Sequence, residues 1–190
     1  MSITLIENHA SYDFKHERVN QMADRLLNIN WYQHVGTIHD DVQNKAEKFL
    51  QSLNIANYEI KWISKDEIGN IYDTIRLTNS SLWEALKVLP DRLKEKIDQS
   101  GQEEILNEIV YHLPEAVFHE VYKGAFKTFS DESFIRFLVG HAMYISVLAC
   151  AWELVANINE WGENPFAYLV DILEMGHIPL GSNNQTFYIM

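Results

Sequence analysis

Apolar residues recur along most of this chain at helical intervals, with polar residues between them, but one stretch lacks a polar face. It runs from Phe134 to Ile158, FIRFLVGHAMYISVLACAWELVANI, and sixteen residues between Arg136 and Glu153 include no Lys, Arg, Asp or Glu. A helix that is apolar all round is either a membrane span or the buried centre of a bundle. A span needs roughly 20 apolar residues; this stretch is shorter, carries His141 and Ser146, and has charged neighbours. It is therefore expected to be a core helix over 131–158, capped by Ser130, with Asp131 and Glu132 in a first turn where acids suit the helix dipole. Ala142, Ser146, Ala149 and Cys150 give it a side of small residues that a neighbouring helix can approach.

The other elements follow from the same periodicity. Val19, Met22, Leu26 and Ile29 predict an amphipathic helix within 14–33, with Asp13 as its cap and Gly36 as the breaker. Ile38, Val42, Ala46, Phe49, Leu50 and Leu53 predict a second helix, capped by Thr37. Residues 57–63 alternate, with Tyr58, Ile60 and Trp62 on one side, and predict a short half-buried strand. The following SKDEIGNIYDTIRLTN reads as irregular. Leu82, Leu86, Leu89, Leu93 and Ile97 mark a helix opened by Ser80 or Ser81 and ended by Ser100-Gly101. Pro90 within it costs about 3 kcal/mol in a continuous helix, so a break or kink is expected there. A long helix over 102–129 with a possible bend at Pro114 comes next. Asn164 and Pro165 open a short helix that Gly176 closes. The tail then has a Gly-Ser-Asn-Asn turn and a terminal strand over 185–190, placed to pair with 57–63.

These elements define the expected fold class: mainly α, one domain over 1–190, a helical bundle around the buried central helix (131–158) with a minor β element (about 57–63 and 185–190). With 190 residues, 47% hydrophobic and 22% charged, the chain has globular composition. The N-terminus lacks a basic region followed by an apolar run, so no targeting segment and a cytoplasmic location are expected. The single cysteine, Cys150, falls inside the apolar helix and reads as a small buried hydrophobe.

Charge narrows the function classes. The net charge is −12, and it is uneven: residues 1–95 hold 14 acids and 11 bases, whereas residues 96–190 hold 13 acids and 4 bases. Nucleic acid and anionic membrane are poor partners for such a chain, because both need clustered Lys and Arg. A basic protein is the partner that the field favours. Two stretches contain acids and no base: Asp98, Glu103, Glu104, Glu108, Glu115 and Glu120, then Glu153, Glu160, Glu163, Asp171 and Glu174. Two such stretches can form an extended negative surface, and solubility is its ordinary role.

Glu108, His112, Glu115 and His119 are spaced 4, 3 and 4 apart and project within about 40° of one line on a helix. Carboxylates and imidazoles are the donors of zinc, iron and manganese sites, so His112 and His119 are candidate metal ligands. Against this, Leu106, Val110, Leu113, Val117 and Val121 lie on the opposite side and must face the core, which turns the Glu/His stripe outward. The spacing is also Glu-x-x-x-His, not the Glu-x-x-His of di-metal bundles. His141 is expected to be a core histidine bonded to a backbone carbonyl or a carboxylate, with a pocket base as the functional alternative. The remaining histidines, His9, His16, His34, His39 and His177, form no recognisable ligand pattern. No nucleotide-binding, hydrolase or Cys-x-x-Cys motif is present, no cofactor is implied, and the reading leans away from an enzyme.

The function that these features favour is protein binding: an inhibitor of the immunity-protein or antitoxin kind that masks a basic partner such as a nuclease toxin. The candidate contact residues are Glu103, Glu104, Glu108, Glu115, Glu120, Glu160 and Glu163, with Trp161 or Tyr122 as aromatic anchors. The alternative is a helical-bundle metal protein or enzyme using the His/Glu site.

Overall fold

The computed structural model describes residues 13–55, 57–69, 75, 81–156 and 162–190, with backbone only at 81–85. Its elements are α1 (Glu17–Leu27), α2 (Asp40–Ser52), β1 (Glu59–Trp62), α3 (Ser81–Ser100), α4 (Glu103–Thr128), α5 (Glu132–Glu153), α6 (Pro165–Glu174), β2 (Pro179–Asn183) and β3 (Thr186–Ile189). The fold is mainly α with a small sheet, as the periodicity predicts. Parts of the 64–79 segment, Ser80 as a cap, residues 157–158 of the predicted core helix, and Glu160 and Trp161 lie outside the described residues.

The apolar helix is the centre of the structure. α5 packs against α4, α1, α6 and α3, while α2 lies on α6. By length and composition α5 passes for a membrane span, but most of its apolar window, 61%, is buried within the fold. Its exposed residues are Glu132 and Ser133 in the first turn and the stripe Arg136, Gly140 and Tyr144; from Ile145 onward none is exposed. The small side is used as expected: Ala142, Ser146, Ala149 and Cys150 are all buried, and Ser146 returns its hydroxyl to the Ala142 carbonyl at 2.7 Å. Burial also pushes the Cys150 thiol up, away from the thiolate.

Helix ends differ from the sequence reading in ways that follow from local hydrogen bonding. The cap of α5 is Asp131, whose carboxylate accepts from the Phe134 N–H at 2.7 Å, so the expected Ser130 is one residue early. α1 is capped by His16, not Asp13; Asp13 instead accepts from the Asn20 side chain, and Asn20 takes the Phe14 N–H. α1 ends at Leu27, well before Gly36, although Ile29 beyond it is still buried. Thr37 does not cap α2: its hydroxyl donates to the His34 carbonyl, and His39 stands at the cap without a side-chain bond. Ile38, expected in the apolar stripe, precedes that helix and is exposed. Asn164, Pro165 and Gly176 act as predicted around α6. α3 and α4 each run through their proline without interruption, so the break expected at Pro90 is absent.

The sheet has the order β1-β3-β2. β1 pairs with β3 in parallel, Ile60 opposite Phe187 and Trp62 opposite Ile189, which brings the middle strand and the tail together as expected. β2 and β3 form an antiparallel hairpin whose turn is Asn184–Gln185, so Gly181, Ser182 and Asn183 belong to a strand and not to the predicted turn. Pro179 at the strand start and the irregularity at Gly181, with φ +117, explain why β2 has no sequence signature.

Candidate functional site

The face picked out by the acidic and histidine spacing is the outer side of α4. Its inner side is built from Ile109, Leu113, Val117, Val121 and Ala125, a strict four-residue repeat that is buried against the core. Val110, expected to face inward, is exposed, because this repeat puts Ile109 on the core line in its place. The outer side therefore carries Glu104, Glu115, His112 and His119 in the open and Glu108 half-buried. Among the described residues, Glu103, Glu104, Glu108 and Glu115 make no ion pair, and Glu120 approaches only its own helix neighbour Lys123, at 3.7 Å.

Beyond Glu115 along α4 runs an aromatic ladder. Phe118, Tyr122 and Phe126 follow one another at four-residue spacing, with exposures of 39%, 42% and 66%. Their rings stack nearly parallel, centroids 5.8 Å apart for Phe118–Tyr122 and 6.1 Å for Tyr122–Phe126. Tyr111, 74% exposed, lies two turns earlier on the same side. Tyr122 is the ring that the sequence offers as a candidate anchor; Phe118 and Phe126, four residues to either side, share its line, about 100° round the helix from the buried repeat.

The second acidic stretch behaves differently. Asp171 is held by Arg25 at 2.6 Å and by Lys45 at 2.5 Å, and Glu174 by Arg25 at 2.7 Å. Glu153, instead of reaching solvent, is buried: Arg18 donates to it at 2.7 Å and Asn164 at 2.7 Å. Asn164 also donates to the Ala149 carbonyl at 2.8 Å, which ties α5 to α6. Glu163 is exposed and accepts from the Tyr168 hydroxyl. The bases of α1 and α2 thus pair with three of these acids, Glu153, Asp171 and Glu174.

His141 is the satisfied histidine that was expected. Its Nε2 lies 2.6 Å from the Pro179 carbonyl and its ring stacks on Phe137, centroids 5.5 Å apart. Burial lowers its pKa, opposed by the carbonyl. An open depression of about 480 Å³ at the end of α2 is lined by Glu47, Leu50, Asn54 and Tyr58 among others, and offers one carboxylate beside amides. No group of three or more His, Cys, Asp or Glu among the described residues stands ready to hold a metal, at His112 and His119 or elsewhere.

One grouping had no sequence signal. His34, His39 and His177 converge where the α1–α2 loop meets the chain after α6: His39 and His177 have ring centroids 5.0 Å apart and His34 and His39 6.2 Å. Residues 138 positions apart reveal this only through the fold.

Comparison of the chain with protein-family models, curated proteins and solved structures returned no match.

Proposed function

We propose that this chain is a protein-binding module whose outer α4 face captures a basic partner, in the manner of an immunity protein or antitoxin that masks a cationic toxin such as a nuclease. The observation that supports this reading is the stacked, solvent-facing ladder Phe118–Tyr122–Phe126 beside carboxylates that have no ion pair among the described residues. Aromatic rings flanked by unneutralised acids suit arginine and lysine: the ring face attracts the cation and the carboxylates pair with it. Apolar anchors supply most of the affinity at an interface of this kind, and the surrounding charge sets on-rate and partner choice. Glu103, Glu104, Glu108, Glu115 and Glu120 are the contact acids in this reading.

The test is affinity capture from native extract at low and at moderate salt, followed by titration of the retained protein against wild type and against a Phe118→Ala, Tyr122→Ala, Phe126→Ala variant. The expected result is one basic protein in near-equal amount, released by salt and not bound by the variant. Retention of no basic protein, or binding indifferent to both salt and the α4 substitutions, rules the reading out.

A further inference from the structure

The histidine grouping lies on elements other than α4 and does not depend on the proposed partner. His39 occupies the cap position of α2 yet makes no cap bond. Its Nδ1 instead faces Nε2 of His177 at 3.4 Å. That separation is long for a hydrogen bond between two nitrogens. It matches another geometry: with Zn–N bonds of about 2.0–2.1 Å, two ligand nitrogens of a tetrahedral site stand about 3.3–3.4 Å apart.

We propose that His39 and His177 are a two-nitrogen anchor for one tetrahedral divalent cation of zinc's chemistry, with His34 as the third protein ligand. His34 is exposed, its ring is 6.2 Å from that of His39, and its main chain is tied to the residue preceding His177 by the His34 N–H to Gly176 carbonyl bond at 3.1 Å. Filling the third position requires the exposed His34 side chain to swing toward the pair. Gly176 is what lets the two loops meet: its φ is +81, and a Cβ there would stand 3.0 Å from both Cδ2 and N of His34. The anchor is rigid on the His177 side. The His177 N–H bonds the Ile172 carbonyl, Ile178 and Met190 exchange both backbone bonds, and Trp62 packs edge-on against the His177 ring at 5.3 Å. Imidazole is a preferred ligand for zinc, and it binds metal only when neutral.

The experiment is calorimetric titration of zinc chloride into the tag-free, chelator-treated full chain near neutral pH, with Trp fluorescence followed in parallel because Trp62 touches His177. The expected result is one zinc per chain in the wild type. His39→Ala, at an exposed position that leaves the core intact, is expected to weaken it at least about 10-fold, since even outer-shell substitutions cost 10–100-fold in metal affinity. His34→Ala is expected to weaken it as well, and a His112→Ala, His119→Ala variant to leave it unchanged. Absence of zinc binding by the wild type, binding unaffected by His39→Ala, or binding lost only in the His112/His119 variant overturns the proposal.

Discussion

Gly124 on α4 lies directly against Trp31: a Cβ at position 124 would stand 2.7 Å from the Trp31 Cβ and 3.0 Å from the Trp31 carbonyl oxygen. Both opposing atoms belong to or adjoin the main chain, and the next residue, Tyr32, is buried with φ +63, so this turn cannot readily give way. Gly124→Ala gains up to about 1 kcal/mol of helix propensity but overpacks the contact at about 1–3 kcal/mol. A net loss of up to about 2 kcal/mol is expected in urea unfolding. A variant more stable than wild type would mean that α4 can move off the α1–α2 loop.

Asn164 and Asp131 both cap helices, and the structure separates them. Asp131 serves only the start of α5, so Asp131→Ala is expected to cost about 1 kcal/mol. Asn164 caps α6 and also donates to the buried Glu153 carboxylate. Loss of the second bond adds about 1.5–3 kcal/mol, as a hydrogen bond to a charged group, so Asn164→Ala is expected to cost about 2–4 kcal/mol. Asn164→Asp keeps the cap but sets a second carboxylate against Glu153, and is not expected to restore stability. Equal losses for the Asn164 and Asp131 alanine variants in denaturant titration would refute this account.

What could be read from the sequence was what local pattern carries. The uncharged run around His141 announced the core helix, and Asn164-Pro165 with Gly176 announced α6, because those signals involve neighbours only. The caps at Asp131 and His16 were missed by small offsets, since several polar residues compete at each helix start and hydrogen bonds choose among them. β2 was missed because Pro179, Gly181 and Asn183 are poor strand formers, and pairing with β3 overrides their preferences. Ion pairing is harder still. Nothing in the run Glu153–Glu174 shows that Arg18, Arg25 and Lys45 neutralise three of its acids, because those bases are more than a hundred residues away in sequence. The convergence of His34, His39 and His177 was hidden for the same reason.

His141 makes stability depend on pH with a definite sign. Burial lowers its pKa in the folded state from the ordinary 6.5, with the Pro179 carbonyl opposing. The fold therefore favours the neutral ring, and the unfolded chain takes up the proton first as pH falls. The contribution of His141 is complete above about 6.5 and is lost as pH falls below that value through the lower folded pKa. Unfolding free energies measured from pH 8 to pH 5 are expected to fall more steeply for wild type than for His141→Gln, which keeps a donor for Pro179 but does not titrate there. Parallel profiles would show that His141 is not the titrating group.

The aromatic ladder is a feature that the fold does not need. Phe126 is 66% exposed, and its stacking with Tyr122 supports the helix by only about 0.2–0.5 kcal/mol. Phe126→Gln is expected to change stability by no more than about 0.5 kcal/mol, the usual range for surface sites. Phe166, 1% exposed and packed against Phe49 and Trp152, is the contrast: Phe166→Ala is expected to cost about 3–5 kcal/mol. If Phe126→Gln leaves the urea midpoint unchanged while abolishing capture of a basic partner, the ladder serves recognition and not folding. If it destabilises the chain as strongly as Phe166→Ala, the ladder is part of the core, and the α4 face loses its claim as a docking surface.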